Sequence, residues 1–206
     1  PTFAPDLRVE NPNQVVITNT FVGFEFTMTL KRDTLRGLKS LPTPPSLAQY
    51  LKPTARIESD DPLIIALSKK AVRGASSKVQ KVRRLVTFVS RYIKGNLDYN
   101  LNSAVAVARA KSGDCTEHTL LFVALARAQQ IPARRVGGLM CGNTRRGCLF
   151  IGHAWPQVWL GRWIDVDPTW NQQTADVTHI LLSTGADHRS ARLLGSLKYV
   201  SHKIIK

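Results

Sequence analysis

Ser112-Gly113-Asp114-Cys115-Thr116-Glu117-His118 opens a strongly apolar stretch in which Leu120-Leu121, Val123-Ala124-Leu125 and Ala128 bury most of the surface. Asp114 or Ser112 offers an N-cap oxygen and Glu117 adds negative charge to the first turn, so the segment reads as a core helix starting at the cysteine. Gly113 permits the tight turn before it. The Cys115 sulfur then projects at the positive end of the helix, and its own N–H points into the space in front, ready to donate to an oxyanion. A thiol attacks only as thiolate, and its free pKa of about 8.5 falls beside a helix N-terminus or an imidazolium. Gly113 and Asp114 are further oxyanion or groove candidates. Taken alone, the segment fits equally well a cysteine packed as a small hydrophobe.

A second segment adds the base. Gly152-His153-Ala154-Trp155-Pro156-Gln157-Val158-Trp159 reads as a strand, Gly161 as a turn, and Arg162 to Trp170 as the alternating partner strand. Such a hairpin predicts that His153 and Asp167 face each other across the ladder, with Pro168 ending the strand just after Asp167. Asp167 then accepts from one ring nitrogen and leaves the other for Cys115, an arrangement that recurs on unrelated folds. Asp165, two residues away on the same face, is the rival orienter. Trp155 shares the face of His153 and is expected to wall the groove, while Trp159 and Trp163 are expected in the core. His118, one turn after Cys115, is another groove candidate, although a locally hydrogen-bonded helix histidine is the plainer reading. His179, His188 and His202 have no spacing that argues for a metal.

Gly113-Asp114-Cys115 at a helix start, His153-Ala154-Trp155 on a strand and Asp167-Pro168-Thr169 at a strand end stand here in that order. Together they resemble the core pattern of the transglutaminase-like superfamily of papain-type folds. The stretch from Ala126 to Arg134 is similar to that family's helix exit, so the resemblance runs over roughly residues 60 to 185. It implies Cys115 as nucleophile, His153 as base and Asp167 as its orienter. Relatives with this triad include cross-linking acyltransferases, peptidases and amidases, so the acyl donor stays open. The chain has neither the Asp-x-Asp-x-Asp-Gly run of a calcium loop nor a Cys-x-x-Cys zinc pair, and an enzyme without metal or cofactor is expected.

The 206 residues, 43% of them hydrophobic, suffice for one catalytic domain with a small appendage. Residues 1–45 read as β-strands, at Gln14–Thr18 and Phe21–Leu30, and an extended linker around Leu41-Pro42-Thr43-Pro44-Pro45-Ser46. Two strands cannot form a stable domain alone. Residues 46–206 read as the catalytic domain. In it, Asp60-Asp61-Pro62 starts a helix, Lys78–Lys94 forms a second along an apolar stripe from Val79 to Ile93, and Ala104–Lys111 a third. Strands are expected after the nucleophile helix, at Arg134–Cys141, Gly147–Ile151, the two arms of the His153–Asp167 hairpin, and Leu197–Ile205. The fold class is therefore α+β, a papain-like or transglutaminase-like core with N-terminal helices, a nucleophile helix, an antiparallel sheet and a short N-terminal β segment.

Cys141 and Cys148 flank a loop rich in turn residues, where a closing disulfide fits and leaves Cys115 as the free thiol. Such a bond implies an oxidising compartment, periplasmic or extracellular. The chain begins at Pro1 without a Met or a charged-plus-apolar leader, which reads as a mature or trimmed protein. No apolar run approaches the roughly 20 residues of a membrane span. Lys and Arg number 29 against 14 Asp and Glu, giving +15. The basic residues are scattered and no nucleic-acid-binding signature is present, so an acidic protein or envelope polymer is a better partner than nucleic acid. The expected activity is acyl transfer from a peptide or glutamine-type amide through a Cys115 thioester, chiefly to water. The alternatives are amine-accepting cross-linking and a non-catalytic binding module.

Overall fold

The structure, a computed structural model, describes residues 14–18, 27–30, 34–35, 38, 42–98, 100–144 and 147–184. The expected strand Leu197–Ile205 lies outside them. Helix α1 (Pro62–Ala71) starts where Asp61 accepts from the Leu63 N–H at 2.8 Å, with Pro62 in the first position, where its missing N–H leaves nothing unpaired. Ser77 caps α2 (Lys78–Tyr92) and Ser103 caps α3 (Ala104–Ala110) in the same manner. All three surround α4 (Cys115–Ala128), whose Leu121, Phe122 and Leu125 are fully buried. Each such side chain contributes about 1.5–3 kcal/mol. Two polar ties lock the bundle: Ser68 donates to the Leu125 carbonyl at 2.8 Å, and buried Arg127 donates to the carbonyls of Ala133 and Lys52.

The other half is an antiparallel sheet in the order β7-β6-β5-β8, formed by β5 (Ala133–Thr144), β6 (Gly147–Trp159), β7 (Trp163–Asp165) and β8 (His179–Thr184). With the helices it makes the α+β class expected. A short β1 (Gln14–Thr18) pairs antiparallel with β2 (Thr27–Leu30), and β3 (Lys94–Gly95) pairs parallel with β4 (Ser112–Gly113) just before the nucleophile helix.

Several expectations are corrected. Gly147 to Trp159 is one continuous strand, with no break at Gly152, because every residue from 147 to 158 has a partner on β5. The expected arm Arg162–Trp170 shrinks to three residues. Its ladder reaches Gln157↔Asp165; beyond it Val166 still donates to Pro156, but Pro156 has no N–H to return the bond. Strand β8 was not expected. Gly138 admits it, since a Cβ there would sit 1.9 Å from the Ile180 carbonyl oxygen. Residues 42–44 of the expected linker have no regular structure, a 3-10 helix at Pro45–Leu51 takes up its end, and Leu35 upstream is buried in the main core.

Candidate active site

The turn before α4 is built by reciprocal capping. Asp114 accepts from the Thr116 N–H at 2.7 Å, while Glu117 reaches back to accept from the Asp114 N–H at 2.8 Å and, with its second oxygen, from the Leu101 N–H at 2.9 Å. Burial raises the Glu117 pKa above its ordinary value. Gly113 has φ +152°, and a Cβ there would lie 2.3 Å from the Glu117 side chain, so the turn tolerates only glycine. Cys115 follows as the first helical residue, half-buried and a free thiol. Its N–H, in the first helical turn, has no acceptor within the helix and is available to an oxyanion. The Asp114 N–H is committed to Glu117, which removes Asp114 from the oxyanion candidates.

Strand β6 crosses α4 and is pinned to it by Thr119, whose hydroxyl donates to the Ala154 carbonyl at 3.1 Å. His153, the preceding residue, is buried with its Nε2 2.7 Å from Asp167 Oδ2, which leaves Nδ1 uncommitted to that carboxylate. Burial opposes charge on this ring, but the bonds to Asp167 and Cys115 outweigh it and push its pKa up to about 9. Asp167 is fully buried; burial would raise its pKa, yet hydrogen bonds from His153 and His179 hold it well below the usual carboxylate range. Asp167 lies beyond the end of β7, in a turn closed by paired hydrogen bonds with Gln172, and its Oδ1 accepts from the Thr169 N–H at 2.7 Å. The predicted pair thus meets, but from this turn rather than directly across the ladder.

His179, at the start of β8, escaped the sequence reading. Its Nε2 lies 3.0 Å from Asp167 Oδ2 and its Nδ1 3.2 Å from Asp176 Oδ1. Burial lowers the pKa of His179, but the two carboxylates more than reverse this. Its signal in the sequence was the short apolar run Ile180-Leu181-Leu182, which fits a buried strand. His153, Asp167 and His179 each place a ligand atom within 4.8 Å of the others, a two-histidine, one-carboxylate set that can hold a cation. In this structure those atoms hydrogen-bond to one another.

The remaining candidates take supporting positions. Asp165 does not touch His153; its Oδ1 accepts from Trp155 Nε1 at 2.8 Å and Gln157 Nε2 at 2.9 Å. Trp155 is 1% exposed and stacks on His153 at 5.8 Å, so it backs the imidazole instead of walling an open groove. His118 is buried and its Nδ1–H donates to the Asp114 carbonyl at 2.6 Å, the local bond expected. Trp159 and Trp163 are only half-buried; they meet edge to face, and Trp163 is covered by Tyr50 and by the Arg134 guanidinium at 4.1 Å. Cys141 is disulfide-bonded, while the side chain of its expected partner Cys148 lies outside those described. No helix among the described residues is long and apolar enough to cross a membrane.

Comparison with known proteins agrees with this architecture. A protein of Mycobacterium leprae named uncharacterized protein ML0607 is 25% identical over 197 residues, covering 89% of this chain and 67% of its own. The crystal structure of a protein from Cytophaga hutchinsonii, described as a proposed cysteine protease, superposes with a TM-score of 0.61 at 21% identity, over 75% of this chain and 53% of that one. The periplasmic domain of TgpA from Pseudomonas aeruginosa gives 0.50 at 21% identity, over 64% and 49%. The chain therefore spans about half the length of these solved structures. The model of the transglutaminase-like superfamily matches residues 65–168, from α1 to the residue after the buried aspartate, and with half its length inside that match the chain belongs to the superfamily.

Proposed function

We propose that the protein is a cysteine-dependent acyl-transfer enzyme that hydrolyses peptide or glutamine-type amide bonds through Cys115, His153 and Asp167. The observation that supports this reading is the pairing of His153 Nε2 with buried Asp167 at 2.7 Å, which leaves Nδ1 for the free thiol at the helix start. In the proposed cycle the Cys115 proton passes to His153 Nδ1, and the thiolate attacks the amide carbonyl carbon. The Cys115 N–H donates to the resulting oxyanion. His153 returns the proton to the nitrogen as the C–N bond breaks, releasing an amine and leaving a thioester. Water, deprotonated by Nδ1, attacks the thioester; the carboxylic acid departs and the thiol is restored. Asp167 holds the ring in the required orientation throughout.

Water is the acceptor that needs no additional site, so hydrolysis is the main outcome. The disulfide at Cys141 supports an extracytoplasmic setting, periplasmic or secreted. The test offers a peptide library together with a labelled primary amine and compares free acid with amine adduct by mass spectrometry. Free acid that disappears in Cys115→Ala is expected. Predominant amine incorporation would reassign the enzyme as a cross-linker, and absence of either product would leave a binding module.

A further inference from the structure

Away from the triad, a cavity of about 610 Å³ opens beside α2. Arg83, Arg84 and Arg91 surround it, Phe88 and Tyr92 line it, and Gln173 closes one side. The two rings stack at 5.1 Å and 21°, and Lys111 lies over the Tyr92 ring at 5.5 Å. None of the three arginines has an acidic partner among the described residues. Gln173 donates from Nε2 to Thr87 at 3.1 Å, but its Oε1 is buried without any hydrogen-bond partner. A buried acceptor left unsatisfied costs about 1–3 kcal/mol, which a donor in the cavity recovers once the Gln173 amide turns toward it. Gln173 adjoins Gln172, whose backbone closes the turn that carries Asp167, so the cavity and the catalytic carboxylate share one loop.

An occupant of this cavity must bring negative charge for three guanidiniums, a hydrogen-bond donor for Gln173, and a flat surface for the two rings. Inorganic anions lack the last two. An acidic polypeptide has all three, in its carboxylates, its backbone N–H groups and its peptide planes. We propose that this cavity is a docking site for an acidic segment of the substrate polypeptide, outside the scissile bond. The proposal rests on the peptide-cleaving reading above and names its substrate class: proteins with a Glu- or Asp-rich stretch near the cleaved amide.

The test measures binding apart from catalysis. Cys115→Ala protein is titrated into fluorescein-labelled octaglutamate at low salt, with anisotropy as the readout. Replacing Arg83, Arg84 and Arg91 by Gln should weaken binding at least tenfold. Replacing Lys52, Arg56 and Arg109 by Gln, an equal loss of charge outside the cavity, should change it less than twofold. Gln173→Leu should weaken octaglutamate but leave inorganic triphosphate unchanged. Equal losses in the two triple variants, tighter binding of triphosphate or of an oligouridylate than of octaglutamate, or no binding of octaglutamate would each overturn the proposal. Octaglutamate binding through the arginines in a protein that cleaves no peptide would instead refute the hydrolase reading and leave the docking site standing.

Discussion

Thr119, one helical turn from Cys115, donates its hydroxyl to the carbonyl of Ala154, the residue next to His153. This single bond ties the helix that carries the proposed nucleophile to the strand that carries the proposed base. Thr119→Val keeps the shape and removes the donor, leaving a buried carbonyl unsatisfied. We expect a stability loss of about 1–3 kcal/mol and a fall in kcat of about tenfold, since small misplacements near the chemistry cost rate steeply. Thr119→Ser should recover most of both. Unchanged kcat with lowered Tm in the valine variant would assign Thr119 a purely structural role.

Asp167→Asn should preserve the fold and lower kcat by about 10³–10⁴-fold, because the amide favours the wrong tautomer or orientation of His153. Asp165→Asn should act differently, lowering stability through Trp155 and Gln157 while leaving kcat within a few-fold. Steady-state kinetics and thermal melts on both variants check the assignment. A larger kcat loss at position 165 would reverse it.

His153, pushed up to about 9 from an ordinary 6.5, should set the alkaline limb of the rate profile. It is the proton donor to the leaving amine, so kcat/KM falls as pH passes about 9. Its stabilising pairing has the same sign: complete below pH 6.5 and lost as the pH rises through about 9. Asp167, held low, contributes in the opposite sense, with stability present above its ordinary 3.8 and lost progressively in acid. Iodoacetamide should label Cys115 near neutral pH, and more slowly in His153→Ala. Equal labelling rates would sever the thiol from the imidazole.

His179 acts through Asp167 and is a positioning residue. His179→Gln removes from Asp167 Oδ2 an imidazole whose pKa the two carboxylates raise, so Asp167 acts on His153 with more of its negative charge. We therefore expect the alkaline limb to move to higher pH, with kcat reduced about tenfold and KM little changed, the size expected for one charge-assisted bond of about 1.5–3 kcal/mol. An unmoved limb would reduce His179 to packing.

The helical half was legible because its signals are local. Caps at Asp61, Ser77, Ser103 and Asp114 and a period of 3.6 mark α1 to α4, and Cys115 follows from its own turn. The pairing of His153 with Asp167 was also readable, but its geometry was not, because the missing N–H of Pro156 cuts the ladder short and Asp167 falls in a turn. His179 was missed because its role depends on β8 pairing with β5, a contact between segments about forty residues apart that no local period encodes. Trp159 and Trp163 alternate like core residues, yet both are only half-buried: Tyr50 and Arg134 cover Trp163, and Trp159 meets Trp163 edge to face.

Asp176, His179, Asp167 and His153 form a hydrogen-bonded row in which carboxylate and imidazole alternate, its outer end, Asp176, partly exposed and its inner end buried. Each carboxylate faces an imidazole, so no charge in the row lacks a partner. In the proposed cycle His153 gains a positive charge with the Cys115 proton and loses it when that proton passes to the departing amine. The next proton available to it is that of the incoming water. The imidazole is therefore neutral and able to act as base when the thioester awaits hydrolysis, and the first half of the reaction leaves behind the base that the second requires.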